Sequence, residues 1–168
     1  MQYAGEALRW QVMPSPELMR RALARAREGV AAGQTPFGAL IARGDRVVAC
    51  EHNAVWAATD STAHAEVQAI RAACRSLGTV DLAGCTIYST CEPCPMCFAA
   101  IHWAHLSTVV YGTRIADARA LGFSELTIAN RTMKQLGGSP VEIVEDFLRE
   151  ESLALFREWA ARTDRRTY

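Results

Sequence analysis

Two short clusters constrain this chain more than any other feature: Thr62-Ala63-His64-Ala65-Glu66 and Cys91-Glu92-Pro93-Cys94-Pro95-Met96-Cys97. One imidazole and two thiolates are ligands of the kind zinc prefers, and a catalytic zinc takes three protein ligands and leaves its fourth tetrahedral corner to water. His64, Cys94 and Cys97 are the candidates for those three ligands. Any fold of this chain must bring the two clusters together. Glu66 follows the histidine by two residues, so on a helix it shares the metal's neighbourhood without binding the ion. That placement suits a proton shuttle.

The combination has a defined chemistry. Zinc lowers the pKa of a bound water from about 15.7 towards 7. A neighbouring carboxylate can accept the water's proton and pass it to a leaving amine. Attack of water on an amidine-like carbon with loss of ammonia is the reaction these parts can run. A second reading stays open, in which the zinc only staples the fold and Cys91 closes the site as a fourth ligand. Glu66 and the apolar run Phe98-Ala99-Ala100-Ile101-His102-Trp103 speak for catalysis. Clustered Cys and His in a chain of this length also point to a metal rather than to disulfides among its six cysteines.

Composition narrows the class. With 168 residues, half of them hydrophobic and 21% charged, the chain reads as one soluble domain. Lys plus Arg number 18 and Asp plus Glu number 18, so there is no electrostatic footprint for nucleic acid at this level. The opening Met1-Gln2-Tyr3-Ala4-Gly5-Glu6 lacks the basic and apolar regions of a signal peptide, and no apolar run is long enough for a membrane span. A cytoplasmic location and no membrane partner are expected.

Along the chain, residues 1–14 show no periodicity and read as a loose arm. Ser15-Pro16-Glu17 is a helix start, followed by Leu18, Met19, Ala22, Leu23, Ala26 and Val30 at helical spacing up to Gly33. The arginines between them read as a solvated face. A hairpin follows, Phe37–Ala42 and Arg46–Cys50 about a Gly44-Asp45 turn, leading to His52-Asn53. Residues 63–77 are helical and end at Gly78, so His64 and Glu66 fall in the first turn. Cys85–Ser89 is a strand, Pro95 opens the next helix, and Thr108–Gly112 is a strand reached through that helix, which implies parallel pairing. Ile115–Leu121 is a short helix, residues 130–140 an irregular loop, Val141–Val144 a fifth strand and Leu148–Arg162 a last amphipathic helix. The expected fold class is α/β, a three-layer α/β/α sandwich around a mixed five-stranded sheet.

With these residues assembled, the chain resembles the cytidine deaminase superfamily, and within it the small bacterial guanine deaminases. The resemblance runs from about Gly29 to Tyr168 and rests on Pro36-Phe37-Gly38-Ala39, His52-Asn53, the two metal clusters, Ile101-His102-Trp103-Ala104, Gly122-Phe123 and the aromatic-ended basic tail. The His-x-Glu and Pro-Cys-x-x-Cys motifs are the signature of zinc-dependent nucleobase deaminases. The resemblance implies zinc held by His64, Cys94 and Cys97, with Glu66 as the catalytic acid and base. Asn53, Phe37 and Trp103 belong to the implied base pocket, and the backbone amide of Ala65 to the binding of the carbonyl formed at the reacting carbon. Glu125 matches an acidic residue that holds the N1–H and 2-amino group of guanine, a place where Asp is commoner. Tyr168 matches the closing aromatic of a C-terminal tail, residues 148–168, that folds over the active site, often the partner's in a swapped homodimer.

The implied reaction is hydrolytic deamination of a free nucleobase, guanine to xanthine and ammonia. The alternatives are a cytosine, nucleoside or aminotriazine (ammeline-like) deaminase, and a tRNA adenosine deaminase. The last predicts a basic surface and salt-sensitive affinity, which the charge balance does not favour. A binding module with a purely structural zinc is the competing non-enzymatic reading.

Overall fold

Alternating side chains in the strands decide how the layers form. In this computed structural model, which describes residues 13–168, strand β1 (Gly38–Arg43) points Leu40 and Ala42 to one face of a sheet and Ala39 and Ile41 to the other. Strands β3 (Thr86–Cys91) and β4 (Thr108–Thr113) do the same with Tyr88 and Val110 against Ile87, Val109 and Tyr111. Both strands are buried along their whole length, so both faces need a helical cover. The expectation of a loose N-terminal arm concerns residues that lie, but for Met13 and Pro14, outside the described ones.

Helix α1 (Pro16–Ala31) and helix α7 (Arg149–Ala160) cover the first face. Helices α3 (Ala65–Leu77), α4 (Pro95–Trp103) and α6 (Asn130–Gly137) cover the second. Ser15 caps α1 by accepting a hydrogen bond from the Leu18 N–H at 3.4 Å, with Pro16 at the first helical position, as the sequence predicts. Bidentate pairs Arg20–Glu151 and Arg27–Glu158 join α1 to α7, so these arginines are paired across helices as well as solvated.

The sheet is mixed and five-stranded, in the order β2-β1-β3-β4-β5, with β2 at Arg46–His52 and β5 at Glu142–Val144. β1 runs antiparallel to β2 and β3, whereas β3, β4 and β5 are parallel. This topology brings the start of β1 and the ends of β2, β3 and β4 to one edge of the sheet. Phe37, Asn53, the Cys91–Cys97 loop and Thr113 therefore share that edge, and it is where the site forms. Among the described residues no helix is long and apolar enough to cross a membrane.

Two local expectations are corrected. Residues 130–137 form helix α6 where an irregular loop was expected, because its cap is not local: Ala129 at the N-cap makes no side-chain bond, and the first N–H of the helix is satisfied by the distant Glu92 carboxylate. The one-turn helix α2 (Val55–Ala58) was not anticipated; the Asn53 Oδ1 accepts from the Val55 N–H at 3.1 Å and the turn ends at Thr59 in the left-handed region. The remaining helix, α5 (Ile115–Ala120), lies where expected.

Gly112 in β4 is required by packing. A Cβ there would lie 2.6 Å from the Ser152 Cβ of α7 and 3.0 Å from the Thr90 carbonyl oxygen. Gly112→Ala is expected to cost about 2–3 kcal/mol through overpacking, lowering the melting temperature by roughly 5–10 °C. Adding Ser152→Gly should restore part of that loss in thermal denaturation; an unchanged melting temperature for Gly112→Ala alone would contradict the packing described.

Candidate zinc centre and active-site cleft

His64 is the N-cap of α3 and Cys94 the N-cap of α4, and neither uses its side chain to cap its helix. Both side chains are thereby free to face each other across the sheet edge. The His64 Nδ1 stands 3.7 Å from the Cys94 Sγ and 3.6 Å from the Cys97 Sγ, and the three donor atoms all lie within 4.8 Å of one another. A tetrahedral zinc with Zn–S near 2.3 Å and Zn–N near 2.05 Å has an N···S edge of about 3.6 Å. The donor set therefore fits zinc in both chemistry and spacing.

Cys91 does not join them. Its buried thiol donates to the Arg114 carbonyl oxygen at 3.6 Å, and the ligand cluster contains only His64, Cys94 and Cys97. Three protein ligands with no fourth among the described residues is the pattern of a catalytic rather than a stapling zinc. The competing structural reading loses its fourth ligand here.

Charge in the site is crowded. Accepting a hydrogen bond from Cys97, against the cost of burial and with help from His64, pulls the Cys94 thiol down to about 4. Donating to Cys94, together with burial, holds Cys97 well above the usual thiol range. Burial and the Cys94 charge push Glu66 up, and the same two causes bring Glu125 up to about 7. Acids that oppose each other's ionisation in this way are what a divalent cation between them would relieve.

Glu66 is buried, 6% exposed. Its Oε1 accepts from the Ser89 Oγ at 3.0 Å and its Oε2 lies 3.5 Å from the Cys97 Sγ. The carboxylate is thus fixed beside the metal ligands without being one. Ala65 is fully buried at the first position of α3, where backbone N–H groups have no intrahelical acceptor.

The cleft outside the ligands is lined by Ser61, Met96, Phe123, Ser124, Glu125, Leu126 and Tyr168. Glu125 and Tyr168 are thus on the cleft wall with His64 and Cys94. Phe37 packs edge-on against Phe123 and Phe156, with centroids 5.0 and 5.8 Å apart, and Phe123 is the ring that reaches the cleft. The tail lies over the cleft of its own chain: the Ser124 N–H donates to the Tyr168 carbonyl oxygen at 3.1 Å, and the Tyr168 ring sits 5.5 Å from that of His64. Asn53 divides its amide between two tasks. Its Oδ1 holds the turn at Val55, and its Nδ2 donates to the Tyr168 hydroxyl at 2.7 Å.

Trp103 is not brought to the cleft. It ends α4 at 77% exposure with its ring against His102. Nine residues of helical rise separate it from Cys94, about 13 Å along the axis. Three side chains that matter to the site were not picked out from the sequence as contributors: Ser89, which orients Glu66, and Glu92 and Asn130, described further below. Thr86 and Thr90 share β3 with Ser89, so nothing in the sequence singled the serine out.

The protein is expected to hold one zinc per chain after dialysis, measured by elemental analysis. Cys94→Ala and Cys97→Ala should each lose it, whereas Cys91→Ala should keep it. Loss of zinc in Cys91→Ala would make Cys91 a ligand and the centre a closed one.

Comparison with known proteins agrees with this geometry. Residues 14–113 match the family described as the cytidine and deoxycytidylate deaminase zinc-binding region. The chain is 38% identical over 151 residues to a guanine deaminase of Bacillus subtilis (strain 168), covering 89% of this chain and 96% of that one. It is 33% identical over 144 residues to a tRNA-specific adenosine deaminase of the same organism, covering 83% and 87%. The solved structure of a guanine deaminase from Nitrosomonas europaea superposes with a TM-score of 0.81 at 32% identity, covering 90% of this chain and 88% of that one. An open three-ligand zinc site, a buried carboxylate beside it and these matches have one reading: the chain belongs to the cytidine and deoxycytidylate deaminase family of zinc-dependent enzymes.

Proposed function

We propose that this chain, as one catalytic domain, is a guanine deaminase that converts guanine and water to xanthine and ammonia. The observation that carries the reading is Glu125: a half-buried carboxylate on the cleft wall beside the zinc ligands. A carboxylate accepts two hydrogen bonds from adjacent donors, which the N1–H and 2-amino group of guanine present and the edge of adenine does not. A site built around such an acceptor rejects bases that leave it unpaired. The similarity to guanine deaminases over nearly their whole length supports the same substrate.

Zinc, when held by His64, Cys94 and Cys97, supplies an acidified water at neutral pH. The rest is done by the chain's own groups. Glu66 carries two protons in turn from the attacking water, the first to the ring nitrogen and the second to the 2-amino group, so that a C–O bond forms at C2, the C2–N bond breaks and ammonia leaves. Ser89 keeps the Glu66 carboxylate turned toward the reacting atoms. The Ala65 N–H, at the positive end of α3, donates to the oxygen that develops on that carbon. Phe123 and Tyr168 pack edge-on with centroids 5.6 Å apart on the cleft wall, and Phe37 braces Phe123. Because the Asn53 Nδ2 is engaged by the Tyr168 hydroxyl, a base reaches Asn53 as the tail shifts.

The tRNA reading finds less support. Arg162 is paired with Asp164, Arg165 donates to the Ala160 carbonyl oxygen, and Arg166 stacks 4.3 Å over Trp56, so the basic tail is engaged locally. Location in the cytoplasm fits six free thiols, two of which must stay reduced to hold metal. A homodimer fits α4, which is apolar nearly all round yet leaves Met96 and Trp103 facing outward; such a helix is normally covered. Trp103→Glu should shift the mass in light scattering to that of one chain.

Ammonia release from guanine by the zinc-loaded protein is the expected activity. Glu66→Gln should lower kcat by about 10³-fold with zinc retained. Glu125→Ala should raise KM for guanine by roughly tenfold or more and lower kcat as well, since the 2-amino group it holds is the one that leaves. Since Glu125 must be ionised to accept both hydrogen bonds, and burial raises its pKa while zinc lowers it, KM should rise as pH is taken from 8 to 5. Turnover of cytosine, a nucleoside, ammeline or an anticodon stem in place of guanine would keep the zinc chemistry and discard the role of Glu125.

A further inference from the structure

Glu92 lies inside the zinc-ligand loop but turns away from the metal. Its buried carboxylate accepts from two backbone N–H groups: Ile115 to Oε2 at 3.2 Å and Asn130 to Oε1 at 2.9 Å. Those are the first residues of α5 and α6, whose N–H groups have no intrahelical acceptor. The Asn130 Nδ2 returns the connection, donating to the Pro93 carbonyl oxygen at 2.6 Å, and Asn130 is fully buried. The Glu92 N–H donates to the Thr113 carbonyl oxygen at 2.8 Å, at the end of β4. Both ends of the segment 114–130 are thus tied to the loop that carries Cys94 and Cys97. Between those ends lie Phe123 and Glu125 on the cleft wall.

We propose that Glu92 is a positioning residue for substrate recognition: one carboxylate that fixes the segment bearing Phe123 and Glu125 against the zinc-ligand loop, and so sets the distance between the base-reading carboxylate and the reacting carbon. The inference rests on the guanine reading for the ligand that Glu125 meets. Its physical basis is the need for two acceptor oxygens on one rigid group. Glutamine matches glutamate in shape but offers one acceptor, and its amide nitrogen would confront one of the two N–H donors. Charge-assisted bonds of this kind are also the stronger ones. Neither Ala129 nor any other side chain of the α6 cap supplies a substitute.

The test is Glu92→Gln in the zinc-loaded full chain, alone and combined with Glu125→Ala. Expected for the single variant are one zinc per chain and KM for guanine raised about tenfold, the factor of a single lost hydrogen bond, with kcat lowered in the same direction as in Glu125→Ala but by less. In the Glu125→Ala background the same change should leave KM unaltered, since the residue through which Glu92 acts is gone. Hydrogen exchange should speed up over residues 114–130 and stay unchanged over α3. An equal KM loss in both backgrounds, loss of zinc, or unchanged exchange over 114–130 would overturn the proposal. If the wild-type protein does not turn over guanine, that result falls on the substrate reading, and the exchange comparison still decides the role of Glu92. Should Glu92→Gln not fold, Asn130→Ala removes only the tie to Pro93: a rise of about threefold in KM that vanishes without Glu125 supports the proposal, and no rise overturns it.

Discussion

Everything in the site depends on two helix N-termini meeting at one edge of the sheet. α3 begins with His64 and α4 with Cys94, and the parallel β3 and antiparallel β1 place both starts at the same edge. The residues that would ordinarily cap these helices are instead spent on the metal. Zinc then does for the site what a cap does for a helix, since the N-terminal partial charges need negative partners and the thiolates supply them. The two N···S separations match the edge of a zinc tetrahedron, and His64 and Cys94 also line the cleft.

The arrangement is electrostatically costly without its metal. The charge on Cys94 raises the cost of ionising Cys97, Glu66 and Glu125, and burial adds to it. Burial makes the same carboxylates effective. A desolvated Glu66 holds a proton more tightly than an exposed carboxylate would, and a desolvated Glu125 penalises any base that does not satisfy it. The cost is offset by bonds that reach in from the scaffold: Ser89 to Glu66, and Glu92 to the two helices flanking the Glu125 segment.

Much of this was legible in the sequence, because its strongest signals are local. The metal triad, the Ser15-Pro16 helix start, the Gly44-Asp45 hairpin and the five strands each depend on residues near one another in the chain. Where the controlling partner is distant, sequence reading failed. Helix α6 looked like a loop because its cap comes from Glu92, thirty-eight residues earlier. Asn53 could be read as a turn former or as a base reader, and its amide has an end for each: one oxygen holds the turn while the nitrogen faces the tail. Trp103 was drawn to the pocket by resemblance alone, and helical rise carries it out to an exposed surface. Phe37 is not among the residues lining the cleft and packs against Phe123, which is.

The most direct test of the account is the coordination of zinc in the purified protein, read by X-ray absorption at the zinc edge. The three-ligand centre predicts two sulfurs near 2.3 Å and one nitrogen plus one oxygen near about 2.0–2.1 Å, with the oxygen contribution changing when a purine is added. Three sulfurs and one nitrogen, insensitive to added purine, would make Cys91 a ligand and the zinc a staple, and the catalytic account would fall with it.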